Sequence, residues 1–208
     1  MKKHWTWAAC ILLGLLSSCQ KEETGQENDP GFLHLKIGMG ILISEEEGTL
    51  KATQGVEDFR VIIYDSQGTP VLTFDRAGDI PAQIELAPGQ YYVEANSGND
   101  LPAEFENPYY QGISDPFSIS SNAEETVQVL CELANTMVSV QYSENVTGGF
   151  LDYSTTVSSQ LGSLVFGMTE TRMGYFRTLP LGIRVDLSYV DGDGNIPVSY
   201  THLRAHET

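Results

Sequence analysis

Ala82-Gln83-Ile84-Glu85-Leu86-Ala87-Pro88-Gly89-Gln90-Tyr91-Tyr92-Val93-Glu94-Ala95 decides the class of this fold. Ala82, Ile84 and Leu86 alternate with Gln83 and Glu85, and Tyr91, Val93 and Ala95 alternate with Tyr92 and Glu94. A repeat of two places successive side chains on opposite faces, so each run reads as a strand with one buried side. Ala87-Pro88-Gly89 interrupts the pattern with turn residues, and the stretch therefore predicts a β-hairpin.

The same period extends in both directions. Leu33, Leu35 and Ile37 share a face, as do Phe59, Val61 and Ile63, and the second run ends at Asp65-Ser66-Gln67-Gly68, a turn leading into Val71 to Phe74. Phe117 with Ile119, and then Val127 to Leu133, follow. About seven short strands over residues 31–133, with no amphipathic helix of three turns, predict an all-β domain built as an antiparallel β-sandwich. From Thr136 the pattern begins again through Val138, Val140 and Tyr142, Tyr153 to Val157, Leu164 to Phe166 and Ile183 to Tyr189. Residues 134–197 are thus expected to be a second β-domain, short of one or more strands. Residues 198–208 resemble a translated sequencing adapter and are expected to be an artefactual or disordered tail.

At the other end, Lys2 and Lys3 precede an apolar run from Trp5 to Leu16, the length of a signal-peptide core rather than of a membrane span. Ser17 and Ser18 before Cys19 resemble a bacterial lipobox, which makes residues 1–18 a signal peptide and Cys19 the acylated N-terminus. Lys21, Glu22 and Glu23 resemble the export signal that places lipoproteins on the outer face of the Bacteroidetes outer membrane. Residues 19–30 are a polar, flexible tether. The expected location is the outer membrane, lipid-anchored and exposed at the cell surface.

Without residues 1–18 the chain carries 9 basic and 28 acidic residues, a net charge of −19. Such a balance argues against nucleic acid and anionic lipid surfaces, which are held by Lys and Arg. Cys10 leaves with the signal and Cys19 takes the lipid, so Cys131 has no disulfide partner; its strand pattern makes it a buried thiol rather than a nucleophile.

Several stretches together resemble a Bacteroidetes lipoprotein family of unknown function. They are Gly31-Phe32-Leu33-His34-Leu35-Lys36-Ile37, Phe59-Arg60-Val61-Ile62-Ile63-Tyr64, Leu86 to Ala95, Phe105-Glu106-Asn107-Pro108-Tyr109-Tyr110-Gln111-Gly112, Cys131-Glu132-Leu133-Ala134-Asn135, and Glu170-Thr171-Arg172 with Gly174-Tyr175-Phe176. The family has no assigned activity. It is similar to the fimbrillin-like and transthyretin-like or Ig-like sandwiches of surface adhesins, and its members often precede a carbohydrate-metabolism module that this chain lacks.

Few residues invite chemistry. His34, beside Lys36 on an outward strand face, has no nucleophile near it in sequence and reads as a surface residue. Glu104 and Glu106 flank Phe105 and would suit glycoside hydrolysis only if one were buried with a raised pKa. Glycan binding without chemistry is the better reading of that loop: Phe105, Tyr109 and Tyr110 would stack on sugar faces, with Asn107 and Gln111 bonding hydroxyls. Asp191-Gly192-Asp193-Gly194-Asn195 lacks the later Glu of a calcium loop and reads as a hairpin turn. His202 and His206 have the spacing of a zinc pair but Leu203 where a metalloprotease has its Glu. Glu45-Glu46-Glu47 reads as a solvated loop, and no role follows from the sequon Asn145-Val146-Thr147. No metal site, cofactor or catalytic residue is expected. The expected function is non-catalytic binding or display, adhesin-like or as a stalk for a downstream domain, with a glycan-binding accessory of a polysaccharide-utilisation system as the alternative. The expected partners are the membrane through the lipid anchor and either a protein subunit or a glycan.

Overall fold

The computed structural model describes residues 29–40, 55–177, 179–189 and 198–205 of the 208-residue chain. The fold is all-β, with sheets curled into a sandwich-like arrangement. In β1 (Gly31–Met39) Leu33 is fully buried, and Leu35, Ile37 and Met39 pack at the margin of the same core. Strands β2 (Arg60–Asp65) and β3 (Pro70–Phe74) form the hairpin that the alternation implies, and Phe59, Val61 and Ile63 are buried. Its turn is fixed locally: Asp65 Oδ1 accepts from the N–H groups of Gln67 (2.9 Å) and Thr69 (2.8 Å), and Gly68 takes a φ of 79° that suits glycine.

The expected second hairpin does not form. Strand β4 (Ile84–Leu86) pairs antiparallel with β1, whereas β5 (Gly89–Asn96) pairs with β2 on one edge and shares its other edge between β7 (Tyr110–Ile113) and β8 (Phe117–Ile119). Alternation reports which side of a strand is buried, not which strand lies beside it. Ile84 and Leu86 meet Tyr91 and Val93 in one core, but Ala87-Pro88 carries the chain from one side of that core to the other, and the Tyr91 hydroxyl donates to the Ala87 carbonyl at 2.8 Å.

Strand β9 (Glu124–Leu133) closes the first unit. It runs parallel to β1 from Phe32 opposite Glu124 to Met39 opposite Cys131, and antiparallel to β7 at Gln111 and Tyr110. The parallel pair is a departure from a wholly antiparallel sandwich. The resulting order is β3-β2-β5-β7-β9-β1-β4, with β8 on β5, and it wraps around Leu33, Phe59, Val61, Ile63, Val93, Val129 and Cys131.

The remaining strands are β10 (Thr136–Val138), β11 (Asp152–Ser158), β12 (Ser163–Phe166), β13 (Gly174–Phe176), β14 (Leu181–Ser188) and β15 (Val198–Ala205), with one short helix, α1 (Glu144–Gly149). Their sheets also draw in a strand from residues 31–133. Strand β6 (Ala103–Phe105), inside the first unit in sequence, pairs with β13 in the sheet β10-β13-β6. The other sheet, β12-β11-β14-β15, shares with it a core of Val157, Leu164, Phe166, Phe176 and Leu181, onto which Ala103, Phe105, Val138 and Val140 pack. Residues 134–197 thus share their sheets with one strand that precedes them and one that follows them in sequence. Residues 198–205, expected as a tail, run as a strand along β14, whose edge on that side β11 leaves open. Among the described residues no helix is long and apolar enough to cross a membrane.

Gly112 lets β7 lie close against β9, since a Cβ there would overlap the Leu130 carbonyl and crowd the Cys131 Cα. Gly112→Ala is expected to destabilise the protein by about 1–3 kcal/mol, the range for an overpacked position, read as a lower urea midpoint with an unchanged slope. An unchanged midpoint would contradict this packing.

Candidate functional site

The sequence directs attention to residues 104–111, and the structure spreads them over two cores. Phe105 leaves β6 to meet Phe166 edge-on, with ring centroids 5.2 Å apart. The Arg172 guanidinium lies over its ring at 4.5 Å, a cation–π contact. Tyr110 stacks on Phe59 in the other core, centroids 6.3 Å apart and planes 24° from parallel. The two rings are thus committed in different places, and the polypeptide between them runs from one core to the other.

Asn107 sits at the centre of that joint. Its Nδ2 donates to the Asn99 carbonyl (2.9 Å), its Oδ1 accepts from Asn99 Nδ2 (2.7 Å), and its own carbonyl accepts from Asn135 Nδ2 (3.0 Å). The Tyr109 N–H donates to Asn135 Oδ1 (3.2 Å), and the Tyr110 N–H to Ser97 Oγ (3.0 Å). Asn135 and Ser97 are buried, so these bonds satisfy polar groups that would otherwise be costly. Tyr109 makes no ring contact among the described residues; burial, then the Asp100 carboxylate, pushes its phenol above the usual value. Gln111 donates to Glu94 Oε1 at 3.0 Å. The structure gathers Asn107, Tyr109 and Tyr110 into one bonded loop, with the Phe105 ring against Phe166 and Arg172 and the Tyr110 ring against Phe59.

The carboxylates beside Phe105 are also engaged. Glu104 Oε1 accepts from the Phe105 N–H (3.0 Å). Glu106, at a φ of 52°, donates its N–H to the Met173 carbonyl (2.9 Å) and accepts the Met173 N–H on Oε1 (2.8 Å), extending the β6–β13 ladder. Both are exposed, and the burial that would make a general acid of one is absent. Among the described residues no group of three His, Cys, Asp or Glu is arranged to hold a metal ion.

His34 is more engaged than its sequence implies: Nδ1 donates to the Ala82 carbonyl at 3.0 Å, and Nε2 lies 3.7 Å from Glu124 Oε2. Cys131 is fully buried against the Ala95 carbonyl, and burial pushes its thiol up to about 11, the state of an unreactive thiol. Asn145 and Thr147 of the sequon lie on α1. Cys19, Lys21, Glu22, Glu23, Glu45 to Glu47, Asp191 to Asn195 and His206 lie outside the described residues, and His202 is placed opposite Arg184.

Sequence reasoning missed two clamps around the joint. Arg177 Nε donates to Asp100 Oδ1 and its Nη2 to the Asp100 carbonyl (2.8 Å), tying the segment after β13 to the one before β6. Arg172 forms a fork on Glu170, with Nε to Oε1 at 2.9 Å and Nη2 to Oε2 at 2.7 Å, which holds the guanidinium over Phe105. The Glu-x-Arg spacing was the available signal for the second. Nothing local announces the first.

Residues 29–203 match the family model of the domain of unknown function DUF4493. Among solved structures, a candidate adhesin from Bacteroides ovatus ATCC 8483 is similar at 11% identity and a TM-score of 0.42, over 94% of this chain and 93% of that one. A second candidate adhesin, from Bacteroides thetaiotaomicron VPI-5482, is similar at 12% identity and a TM-score of 0.40, over 84% and 80% of the two chains. No curated protein matches the chain.

The fork predicts a pH dependence. Hydrogen bonds from the Arg172 side chain and then its backbone N–H lower the Glu170 carboxyl from 4.5 to about 2. A carboxyl depressed in the folded state stabilises fully above its unfolded pKa, and that contribution is lost as pH falls through the folded value. The stability difference between wild type and Glu170→Gln is therefore expected to be present at pH 6 and to shrink between about 4.5 and about 2. Urea titrations at several pH values would check it, and a difference that stays constant to pH 2 would contradict the fork.

Proposed function

We propose that this chain, which belongs to the DUF4493 family, is a lipid-anchored module of the bacterial outer surface that works by non-catalytic binding and display, adhesin-like or as a stalk for a further domain. The observation that carries this reading is that Cys131, His34, Glu106 and Glu170 are each spent on holding the fold together. Cys131 is a core residue with a raised pKa, and His34 bonds the chain ahead of β4 to β1. Glu106 extends a ladder, and Glu170 orients Arg172 over Phe105. Such a frame presents surface rather than reactive groups, and binding by surface needs no reactive group. Attachment in this reading comes from Cys19, and outward exposure from Lys21, Glu22 and Glu23.

Protease accessibility on intact cells tests the display. Wild-type protein is expected to be membrane-associated and digested by protease added to whole cells. Cys19→Ala is expected to leave the membrane fraction. Replacing Lys21, Glu22 and Glu23 together with Ala is expected to keep the protein in the membrane but shield it from protease. Retention of Cys19→Ala in the membrane would overturn the anchor.

A further inference from the structure

The large sheet has two faces, and the core accounts for one of them. Because Val61, Ile63, Val93 and Ala95 turn inward, the residues between them turn the other way. Register sets these outward residues in rows across the strands. In one row Arg60 lies opposite Asn96, Asn96 opposite Gln111 and Gln111 opposite Glu132. In the next, Ile62 lies opposite Glu94 and Glu94 opposite Ile113, and the β7–β9 register continued from Gln111 and Glu132 brings Ile113 beside Leu130. A third row sets Tyr64 opposite Tyr92 and, further across, Gln128 opposite Lys36. Ile113 is 61% exposed and Leu130 49%, so both stand out into solvent.

The polar groups of this face are already arranged. Glu94 Oε1 accepts from Gln111 Nε2 at 3.0 Å and from Asn96 Nδ2 at 3.3 Å, while its Oε2 takes no hydrogen bond among the described residues. The Tyr64 and Tyr92 rings stack beside it, centroids 5.0 Å apart and planes 13° from parallel. Burial, then Glu94 and Tyr92, push the Tyr64 phenol up and Arg60 pulls it down, so the four side chains share one neighbourhood. Charge balances over the three rows: Arg60 and Lys36 offset Glu94 and Glu132, in a chain of net charge −17.

Such a face matches a ligand that has neither net charge nor a large apolar side. A carboxylate held by two amides bonds neighbouring hydroxyl groups, and phenol rings and exposed aliphatic side chains take the C–H faces of sugar rings. The one apolar spot, at Ile113 and Leu130, is small for the core of a stable protein contact, which draws on roughly 20–30 residues a side. We propose that the outer sheet face centred on Glu94, Gln111 and Ile113, with Tyr64 and Tyr92 at its flank, binds an uncharged glycan chain lying across β2, β5, β7 and β9. A flat face holds each sugar weakly, and a polymer gains by touching many copies on one cell. The proposal rests on the reading of the chain as a binding module and gives that reading a ligand class. Of the residues that the sequence offers for sugar binding, it uses Gln111 alone.

Electrophoresis of the mature chain through gels that contain a soluble polysaccharide tests it. The probes are dextran, laminarin, mannan, galactan and xylan, all uncharged, with polygalacturonate as the anionic comparison. At least one uncharged polymer is expected to retard the wild type, and polygalacturonate is not. Glu94→Gln and Gln111→Ala are each expected to weaken that retardation about tenfold, the loss that follows removal of a hydrogen bond involving a charged group. Ile113→Glu, at an exposed position, is expected to abolish it with the urea midpoint unchanged, and Val165→Glu, exposed on the other unit, to leave it intact. Passage of the wild type unretarded through all five uncharged polymers would overturn the proposal, as would retardation that Ile113→Glu and Glu94→Gln both retain. Stronger retardation by polygalacturonate would also overturn it. So would a sedimenting mass that rises with concentration and falls to the monomer in Ile113→Glu, since a second copy would then occupy the face. Each of these failures leaves surface display standing, because Cys19-dependent exposure is read on cells without added glycan.

Discussion

The parallel ladder between β1 and β9 is the constraint on which the first unit depends. It joins the beginning of the unit to its end, so every intervening strand lies within the crossover that a parallel pair requires. Its register sets Leu35 opposite Val127, Ile37 opposite Val129 and Met39 opposite Cys131, which turns both apolar rows toward one core. A slip of one residue would turn the β9 row to solvent, and burial therefore holds the register. Two strands so distant in sequence incur loop-closure entropy before any contact compensates it, and the compensation comes from the buried face they complete together.

Once β9 is seated, the remaining sheet has little freedom. Its far end pairs with β7, β7 with β5, and β5 with β2, which brings the β2–β3 hairpin to the edge. The segment between β5 and β7 leaves the sheet altogether to become β6, and that departure places Phe105 under Arg172 and against Phe166. Asn99, Asn107 and Asn135 then satisfy the backbone that the departure exposes. The joint between the cores is polar in its loop and aromatic at its two ends, so its geometry is specified by directional bonds and by packing together.

Particular residues show how far the chain could be read. The β2–β3 hairpin was legible because Asp65 and Gly68 build the turn from their own side chain and φ preference. The supposed hairpin around Pro88 was misread because two neighbouring strands that face one core look alike whether or not they touch. Phe105, Tyr109 and Tyr110 read as a platform because aromatic residues near Asn and Pro look like a surface loop. The rings that claim Phe105 and Tyr110, Phe166 and Phe59, lie far away in sequence. That β4 pairs with only Gly31, Phe32 and Leu33 of β1 is hidden for a similar reason, since a strand's length is local but the length of its partner is not.

Local sequence specifies that the chain is all-β, which faces of its strands are buried, and that Cys131 is a core thiol, because period, turn chemistry and residue polarity act over a few neighbouring residues. Packing between distant segments settled that β4 accompanies β1, that β6 belongs to the second core and that residues 198–205 lie along β14. Strand pairing is settled by which of several similar apolar faces can be buried at once, a competition among distant segments that no local stretch records.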